Sequence, residues 1–178
     1  MPKKVLLDSK KIDIILNRLV CQLVENHKDF NNTVLVGLQP RGTFLIDKIL
    51  DIFNKDYPKI DIKSGVLDFT FFRDDFRRSE KTLSARSTQM NFSVEDKNVV
   101  LIDDVLFTGR SIKAAMSSMD SYGRPNSIEL LVLIDRRYKR EIPIEANYFG
   151  AKIDTFKGDR VNVVWGNKPK DNIIYIEN

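Results

Sequence analysis

The sequence VLIDDVLFTGRSIKAAM at Val100–Met116 decides the fold, because it combines a buried strand, a polar loop and the start of a helix. Its first residues are apolar and branched, which is typical of a strand that is covered on both faces. Two adjacent acids, Asp103 and Asp104, follow this apolar run. A Thr-Gly-Arg-Ser turn then opens a predicted helix over Thr108–Tyr122, which ends at a glycine.

Strands and helices alternate on both sides of this stretch, as expected of an α/β protein with a parallel sheet flanked by helices. Apolar residues at helical spacing predict helices from Asp8 or Ser9 to about Asn26 and over Gly42–Phe53. The remaining apolar or β-branched runs predict strands at Thr33–Leu38, Ile60–Phe72 (one or two strands), Asn98–Ile102, Ser127–Ile134, Val161–Trp165 and Ile173–Ile176. Ligands of such sheets bind at the carboxyl ends of the strands, so we expect the site beside the two acids.

Composition and charge exclude several classes of protein. The 178 residues suit one domain, and 42% hydrophobic with 30% charged residues is typical of a soluble globular protein. The charged start MPKKVLLD does not resemble a signal peptide, and no apolar run suits a membrane helix. The single cysteine favours a reducing, cytoplasmic location. The net charge of +4 permits an anionic ligand or nucleic acid without requiring one.

The residues that a nucleophilic mechanism would use are poorly suited to it. Cys21 lies in an apolar helical series, so we expect a buried structural thiol. His27 is the only histidine and lies in a polar stretch, so we expect it at the surface. The sequence therefore disfavours Ser-His-Asp and Cys-His catalysis.

The loop after the two acids is suited to a phosphate. Unpaired backbone N–H groups and the helix dipole favour an anion at a helix N-terminus. Gly109 permits close approach of the backbone, and the hydroxyls of Thr108 and Ser111 add donors. A plain helix cap would account for Thr108 but not for two adjacent carboxylates, whose mutual repulsion and desolvation are costly. Asp103 and Asp104 are suited to ribose hydroxyls or to Mg²⁺, and the nucleotide-binding pattern GxxxxGK[ST] is absent.

This segment resembles the phosphoribosyl pyrophosphate motif of type I phosphoribosyltransferases. The wider chain resembles one branch of them, the bifunctional pyrimidine-operon attenuation regulators that also have uracil phosphoribosyltransferase activity. The sequences that carry this resemblance are LVGLQPRG at 35–42, GVLDFTFFRDD at 65–75, GRPNSIELLVLIDR at 123–136 and REIPIEANYFG at 140–150. The resemblance implies a type I phosphoribosyltransferase fold in one domain over 1–178, with a flexible flap at about 73–92 and a small hood at about 136–178.

The resemblance also assigns roles to residues of this chain. It makes Asp103 and Asp104 catalytic residues that hold the ribose and, together with the substrate, Mg²⁺. The residues that it assigns to the rest of the site are Phe107, Thr108, Gly109, Arg110 and Ser111 for the phosphate, Pro40, Arg41 and Gly42 for the pyrophosphate, Arg73, Asp74, Arg77 and Arg78 in the flap, and Arg136 and Val161 in the hood that covers the base. Without the resemblance, the loop around Arg41 would be interpreted as an ordinary strand-to-helix turn.

The implied reaction converts uracil and phosphoribosyl pyrophosphate into UMP and pyrophosphate, with Mg²⁺ as cofactor, in a homodimer or higher homo-oligomer. Two alternatives remain open. One is an RNA-binding transcription attenuator with little catalysis, which binds a leader hairpin and senses UMP or UTP. Arg18 and Arg140 are its candidate RNA contacts, whereas Glu145 and Ala151 stand where RNA-binding members tend to be basic. The other is a purine phosphoribosyltransferase with the same phosphate motif.

Overall fold

A computed structural model describes residues 3–74, 85–156 and 158–177 of the chain. In chain order, its strands and α-helices are β1 (Lys4–Leu7), α1 (Ser9–His27), β2 (Thr33–Leu38), α2 (Gly42–Asp56), β3 (Lys63–Leu67), β4 (Asn98–Leu106), α3 (Arg110–Met119), β5 (Ser127–Arg137), β6 (Tyr148–Asp154), β7 (Arg160–Val164) and β8 (Ile173–Glu177).

A parallel sheet forms the centre of the described part of the chain. Its strand order is β3-β2-β4-β5-β6, and each neighbouring pair is parallel. The central strand β4 is buried over Val99–Ile102 because helices cover both faces of the sheet. This confirms the predicted parallel sheet.

Helices α1 and α2 pack on one face of this sheet, and α3 packs on the other. The buried stripe of α1 includes Leu16, Leu19 and Leu23, whose spacing is that of one helix face. The carboxylate of Asp8 caps this helix by accepting a 2.9 Å hydrogen bond from the Lys11 N–H, as its sequence predicts. Within the described ranges, no helix is both long and apolar enough to cross a membrane.

A second, antiparallel sheet has the strand order β1-β8-β7. Its strands β7 and β8 lie in the range of the predicted hood at about 136–178, whereas β6 of that range belongs to the parallel sheet. Strands β1 and β6 were not predicted. Strand β1 has only four residues, and most of its surface is exposed or half-buried, so it carries no clear apolar alternation. Strand β6 contains Gly150 and two charged residues, so its sequence lacks the apolar pattern of a strand although it pairs with β5. This second sheet therefore contains the N-terminal strand β1 as well as two strands from the C-terminal end of the chain.

Three element boundaries differ from those that the sequence predicts. Strand β4 continues to Leu106 because its backbone stays paired with β5, so the two acids lie inside the strand. Helix α3 begins at Arg110 rather than at Thr108 because Gly109 adopts a left-handed conformation with φ of 88°. Ile60–Phe72 contains one strand, β3, followed by a 3₁₀ turn at Thr70–Phe72.

Two expectations about single residues are wrong. Cys21 is exposed, because it lies beside the buried stripe of α1 rather than on it, and its Sγ is 3.6 Å from the Tyr57 hydroxyl. The side chain of His27 is only 5% exposed. Its Nε2 is 3.1 Å from the Glu129 carboxylate, and its Nδ1 is 3.1 Å from the Thr33 hydroxyl. Polar groups from β2 and β5 thus surround the histidine where α1 ends.

Gly42 is required at the start of α2 because the helix approaches β4 closely there. A Cβ atom at this position would lie 2.2 Å from the backbone oxygen of Ile102. We therefore expect Gly42→Ala to lower the free energy of unfolding by roughly 1–3 kcal/mol, although alanine usually favours a helix over glycine. Urea unfolding measures the change. The exposed Asn54→Ala in the same helix is the control, with an expected change within about 0.5 kcal/mol, and equal stability of the two variants would contradict the close approach.

Candidate active site

A cavity of about 530 Å³ lies at the carboxyl end of β4, where the sequence predicts the site. Asp103, the loop after β4 and the first turn of α3 form most of its wall. Arg73 and Asp74, at the start of the predicted flap, line another part. The structure therefore brings the motif and the beginning of the flap to one cavity.

The two acids differ in burial. Asp104 is 5% exposed, whereas Asp103 is half-buried and faces the cavity. The carboxylate of Asp103 accepts a 2.9 Å hydrogen bond from the backbone N–H of Asp104. Burial raises the pKa of Asp103 well above its usual range, and the neighbouring Asp104 carboxylate raises it further. Two neighbouring carboxylates repel each other, so they favour the binding of a cation or of a ligand whose hydroxyl groups donate hydrogen bonds to them.

The raised pKa of Asp103 predicts a pH-dependent cost to stability. A carboxyl group whose pKa rises on folding favours the folded state below its unfolded pKa, near 3.9, and loses that contribution as the pH rises through its folded pKa. We therefore expect ligand-free Asp103→Asn to resist urea better than the unmodified protein at pH 8, with a smaller advantage at pH 4. A difference that stays constant between these two pH values would contradict the raised pKa.

Arg41 links the second acid to strand β7 of the antiparallel sheet. Its Nε donates a 2.6 Å hydrogen bond to Oδ2 of Asp104, and its Nη2 donates a 2.9 Å bond to the Val163 carbonyl in β7. The side chain is 48% exposed, so part of the guanidinium also meets solvent. Pro40 precedes it, and the Pro40 carbonyl accepts a 2.8 Å hydrogen bond from the Thr43 hydroxyl. The predicted pyrophosphate loop therefore lies beside the buried acid.

The predicted phosphate loop ends in an uncapped helix terminus. Gly109 occupies the cap position of α3 and makes no side-chain capping hydrogen bond. The bond from the Arg110 N–H to the Thr108 hydroxyl is long, at 3.4 Å. All five residues from Phe107 to Ser111 line the cavity. The backbone at this terminus is thus suited to an anion, as the sequence predicts.

The Arg110 side chain connects separate segments around this loop. Its Nε donates a 2.6 Å hydrogen bond to Glu141, and its Nη1 donates to the Asp74 carboxylate. The guanidinium is therefore paired with two carboxylates, so Arg110 contributes to the loop through its backbone and through this connection.

Only the two ends of the predicted flap at 73–92 can be compared with the structure. Arg77 and Arg78 lie outside the described residues. At the other end, Val66 in β3 and Gln89 exchange backbone hydrogen bonds of 3.0 and 2.9 Å. The C-terminal end of this segment is therefore attached to the edge of the sheet.

The two predicted hood residues are both buried. Arg136 is 6% exposed, and its guanidinium lies 3.8 Å from the ring centre of Phe107. It donates hydrogen bonds of 3.1 Å to the Thr155 hydroxyl and 2.9 Å to the Asp159 carbonyl, and burial lowers its pKa. Val161 is 9% exposed and belongs to the core. Arg136 lies in β5 of the parallel sheet and supports Phe107, the first residue of the predicted phosphate loop, through this ring contact.

The two candidate RNA contacts make hydrogen bonds within the protein. Nη2 of Arg18 donates to the carbonyls of Phe149 and Gly150 at 2.8 and 2.7 Å. Arg140 is 23% exposed and donates to the Phe107 carbonyl and to Asp135. The sequence does not predict the contact between Arg140 and Phe107 of the predicted phosphate loop, because the two residues are 33 positions apart and the sequence around Arg140 gives no sign of it.

Comparisons with known proteins agree with this geometry. Residues 3–169 match the family described as "Phosphoribosyl transferase domain". The protein named bifunctional PyrR in Caldicellulosiruptor bescii is 37% identical over 98% of this chain and 94% of its own length. The protein of the same name in Enterococcus faecalis is 39% identical over 92% of this chain and 90% of its own.

Solved structures give the same fold. A hypoxanthine phosphoribosyltransferase from Staphylococcus aureus superimposes with a TM-score of 0.63 and 25% identity, covering 84% of this chain and 77% of that one. A hypoxanthine phosphoribosyltransferase from Trypanosoma cruzi does so with a TM-score of 0.67 and 16% identity, covering 85% and 78%. The expected type I phosphoribosyltransferase fold is confirmed. The chain belongs to the phosphoribosyltransferase family and, within it, to the branch of the bifunctional PyrR proteins.

Proposed function

We propose that this phosphoribosyltransferase acts on uracil and converts it, with phosphoribosyl pyrophosphate, into UMP and pyrophosphate. The observation that carries the proposal is the Asp103–Asp104 pair: Asp103 lines the cavity together with the helix terminus at Gly109, and Asp104 accepts a hydrogen bond from the guanidinium of Arg41. This arrangement offers an anion site, acceptors for ribose hydroxyls and a cation for a second anion. The choice of uracil rests on the relationship to the PyrR proteins.

Each part of the substrate has a matching group in this arrangement. The 5′-phosphate takes the backbone N–H groups from about Phe107 to Ser111, and the ribose hydroxyls donate to Asp103 and Asp104. The pyrophosphate lies beside Arg41, whose fork of donors suits phosphate oxygens. As the bond from ribose C1 to the pyrophosphate oxygen breaks, C1 bonds to N1 of uracil, and the N1 proton is released to the solvent. Positive charge develops on the ribose ring, and the Asp104 carboxylate stabilises it.

The residues of the cavity fit a magnesium ion that is bound together with substrate. Mg²⁺ prefers oxygen ligands and is usually held by one or two carboxylates plus substrate phosphates. Asp103, which lines the cavity, supplies such a carboxylate, and the adjacent Asp104 would supply a second one. Among the described residues, no group of three or more acids, histidines or cysteines is arranged to hold a metal. When bound, the ion would neutralise charge on the leaving pyrophosphate.

A comparison of nucleobases tests the proposal. The protein is incubated with Mg²⁺, labelled phosphoribosyl pyrophosphate and either uracil, hypoxanthine, guanine or orotate, and the labelled nucleotide is identified. We expect UMP to form fastest. Faster formation of IMP or GMP would instead establish the purine alternative. Hypoxanthine is included because the fold is similar to that of a hypoxanthine phosphoribosyltransferase. No nucleotide from any base would favour the regulator with little catalysis.

The same relationship makes binding of a pyrimidine-leader RNA hairpin the second candidate role. Its proposed contacts are Arg18 and Arg140, and both make internal hydrogen bonds. Glu145 is exposed and acidic, and Ala151 adds no charge. Specific affinity for the hairpin should therefore be weak, because phosphate contacts need free cationic groups.

We expect the hairpin and a scrambled RNA of equal length to bind with similar affinity, with or without UMP. The ratio of the two affinities is the decisive quantity, because a protein of net charge +4 also attracts RNA without specificity. Coupling between nucleotide and RNA must be reciprocal, so UMP affinity is measured with each RNA as the control. A nanomolar preference for the hairpin that requires UMP would contradict the expectation.

A further inference from the structure

Residues 140–142, which follow β5, lie against the outer side of the phosphate loop. The carbonyl of Thr108 accepts two hydrogen bonds of 3.0 Å, from the backbone N–H groups of Glu141 and Ile142. The carbonyl of Phe107 accepts a hydrogen bond from Nη1 of Arg140. Two successive carbonyls of the loop are therefore held from the same side by one short segment.

The geometry of the peptide bond turns these contacts into a consequence for the cavity. In a planar trans peptide, the C=O of one residue and the N–H of the next point in opposite directions. The contact at the Phe107 carbonyl therefore directs the N–H of Thr108 away from residues 140–142. The two contacts at the Thr108 carbonyl direct the N–H of Gly109 in the same way. Both residues line the cavity, so these N–H groups are aimed at the place of the anion.

Arg140 is itself held in a fixed position. Its Nη2 donates a 2.5 Å hydrogen bond to the carboxylate of Asp135, whose side chain is 8% exposed. Asp135 lies in β5 directly opposite Leu106, the last residue of β4. The guanidinium thus bridges a residue of the sheet and the first carbonyl of the loop. A planar fork with several donors can make both bonds at once, which a single ammonium group cannot do in a fixed geometry.

We propose that Arg140 is a positioning residue for the 5′-phosphate site. It holds the Phe107 peptide so that the loop presents its N–H groups to the phosphate before the substrate arrives. This inference rests on the proposed function, and it gives Arg140 a role in the nucleotide site in place of a direct contact with RNA. Preorganised donors bind an anion more tightly because they need no rearrangement on binding.

The test uses two probes that contain no nucleobase. Ribose 5-phosphate reports on the phosphate loop, whereas inorganic pyrophosphate reports on the loop around Arg41. Their affinities are measured for the unmodified protein, Arg140→Ala and Arg140→Lys. Arg137→Ala is the matched control, since Arg137 carries the same charge on an exposed side chain and pairs with Asp154 at 2.6 Å.

We expect Arg140→Ala to weaken ribose 5-phosphate binding by about tenfold to a hundredfold, and pyrophosphate binding by less than about twofold. For ribose 5-phosphate, the affinity of Arg140→Lys should lie between that of the unmodified protein and that of Arg140→Ala. Arg137→Ala should bind both probes with the affinity of the unmodified protein. An unchanged affinity of Arg140→Ala for ribose 5-phosphate would overturn the proposal. An equal loss for both probes in a variant with a lowered melting temperature would also overturn it, because that result indicates general destabilisation.

Arg140→Lys keeps the comparison decisive if the alanine variant does not fold, because a lysine retains the charge and most of the side-chain volume. The outcome is independent of the base. If the unmodified protein binds ribose 5-phosphate but does not use uracil, the proposed function is refuted. The affinities of the Arg140 variants for ribose 5-phosphate can still be compared with that of the unmodified protein. An unmodified protein that does not bind ribose 5-phosphate would overturn the inference itself.

Discussion

Asp104→Asn is expected to lower kcat by about a hundredfold to a thousandfold, because it removes the charge that stabilises the positive ribose ring. Asp104 is 5% exposed and follows Asp103, which lines the cavity, so its charge is weakly screened by water. Asparagine keeps the shape and one oxygen acceptor for Arg41, so the fold should persist. Initial rates with saturating phosphoribosyl pyrophosphate and uracil give kcat, and circular dichroism checks the fold.

The matched control for this variant is Asp120→Asn. It makes the same chemical change at the end of α3, where the side chain is exposed and does not line the cavity. It should leave kcat within about twofold, as expected of a surface substitution. Turnover of Asp104→Asn equal to that of the control would remove Asp104 from the mechanism.

Arg41→Ala is expected to affect both catalysis and stability. It removes the group proposed to hold the pyrophosphate, so kcat/KM for phosphoribosyl pyrophosphate should fall by about a hundredfold. It also leaves the buried carboxylate of Asp104 without its 2.6 Å partner. Because the arginine is half-exposed and partly screened, the expected loss of unfolding free energy is only about 1–3 kcal/mol.

The double variant Arg41→Ala with Asp104→Asn separates these two effects. The neutral asparagine side chain would not carry the charge that needs a partner, so the double variant should be more stable than Arg41→Ala alone while remaining inactive. Urea unfolding of the four proteins gives the interaction energy. Strictly additive changes would show that the Arg41–Asp104 contact contributes nothing to the fold.

The sequence predicts the central features of this fold because they are local or periodic. The strands Thr33–Leu38 and Asn98–Ile102 are short apolar runs, and a buried strand of a parallel sheet needs little else. The uncapped start of α3 at the cavity is also predictable, because a glycine at a helix start leaves backbone N–H groups without partners, which suits an anion. Continuation of β4 to Leu106 is not visible in the sequence, since pairing with β5 maintains the strand beyond the apolar run.

The features that the sequence does not reveal depend on contacts between distant segments. Arg140 appears as part of a basic run, yet β5 directs the chain so that it reaches the Phe107 carbonyl. His27 lies in a polar stretch, yet Glu129 and Thr33 meet it from the sheet. In both cases the local sequence indicates exposure, and only the arrangement of strands brings the partners together.

A crystal structure with bound UMP and Mg²⁺ tests the central claim most directly. We expect the 5′-phosphate to lie at the N-terminus of α3, with backbone N–H groups between about Phe107 and Ser111 as donors. We also expect the ribose hydroxyls to donate to Asp103 and Asp104. A 5′-phosphate bound elsewhere, or a ribose that makes no contact with either carboxylate, would contradict it.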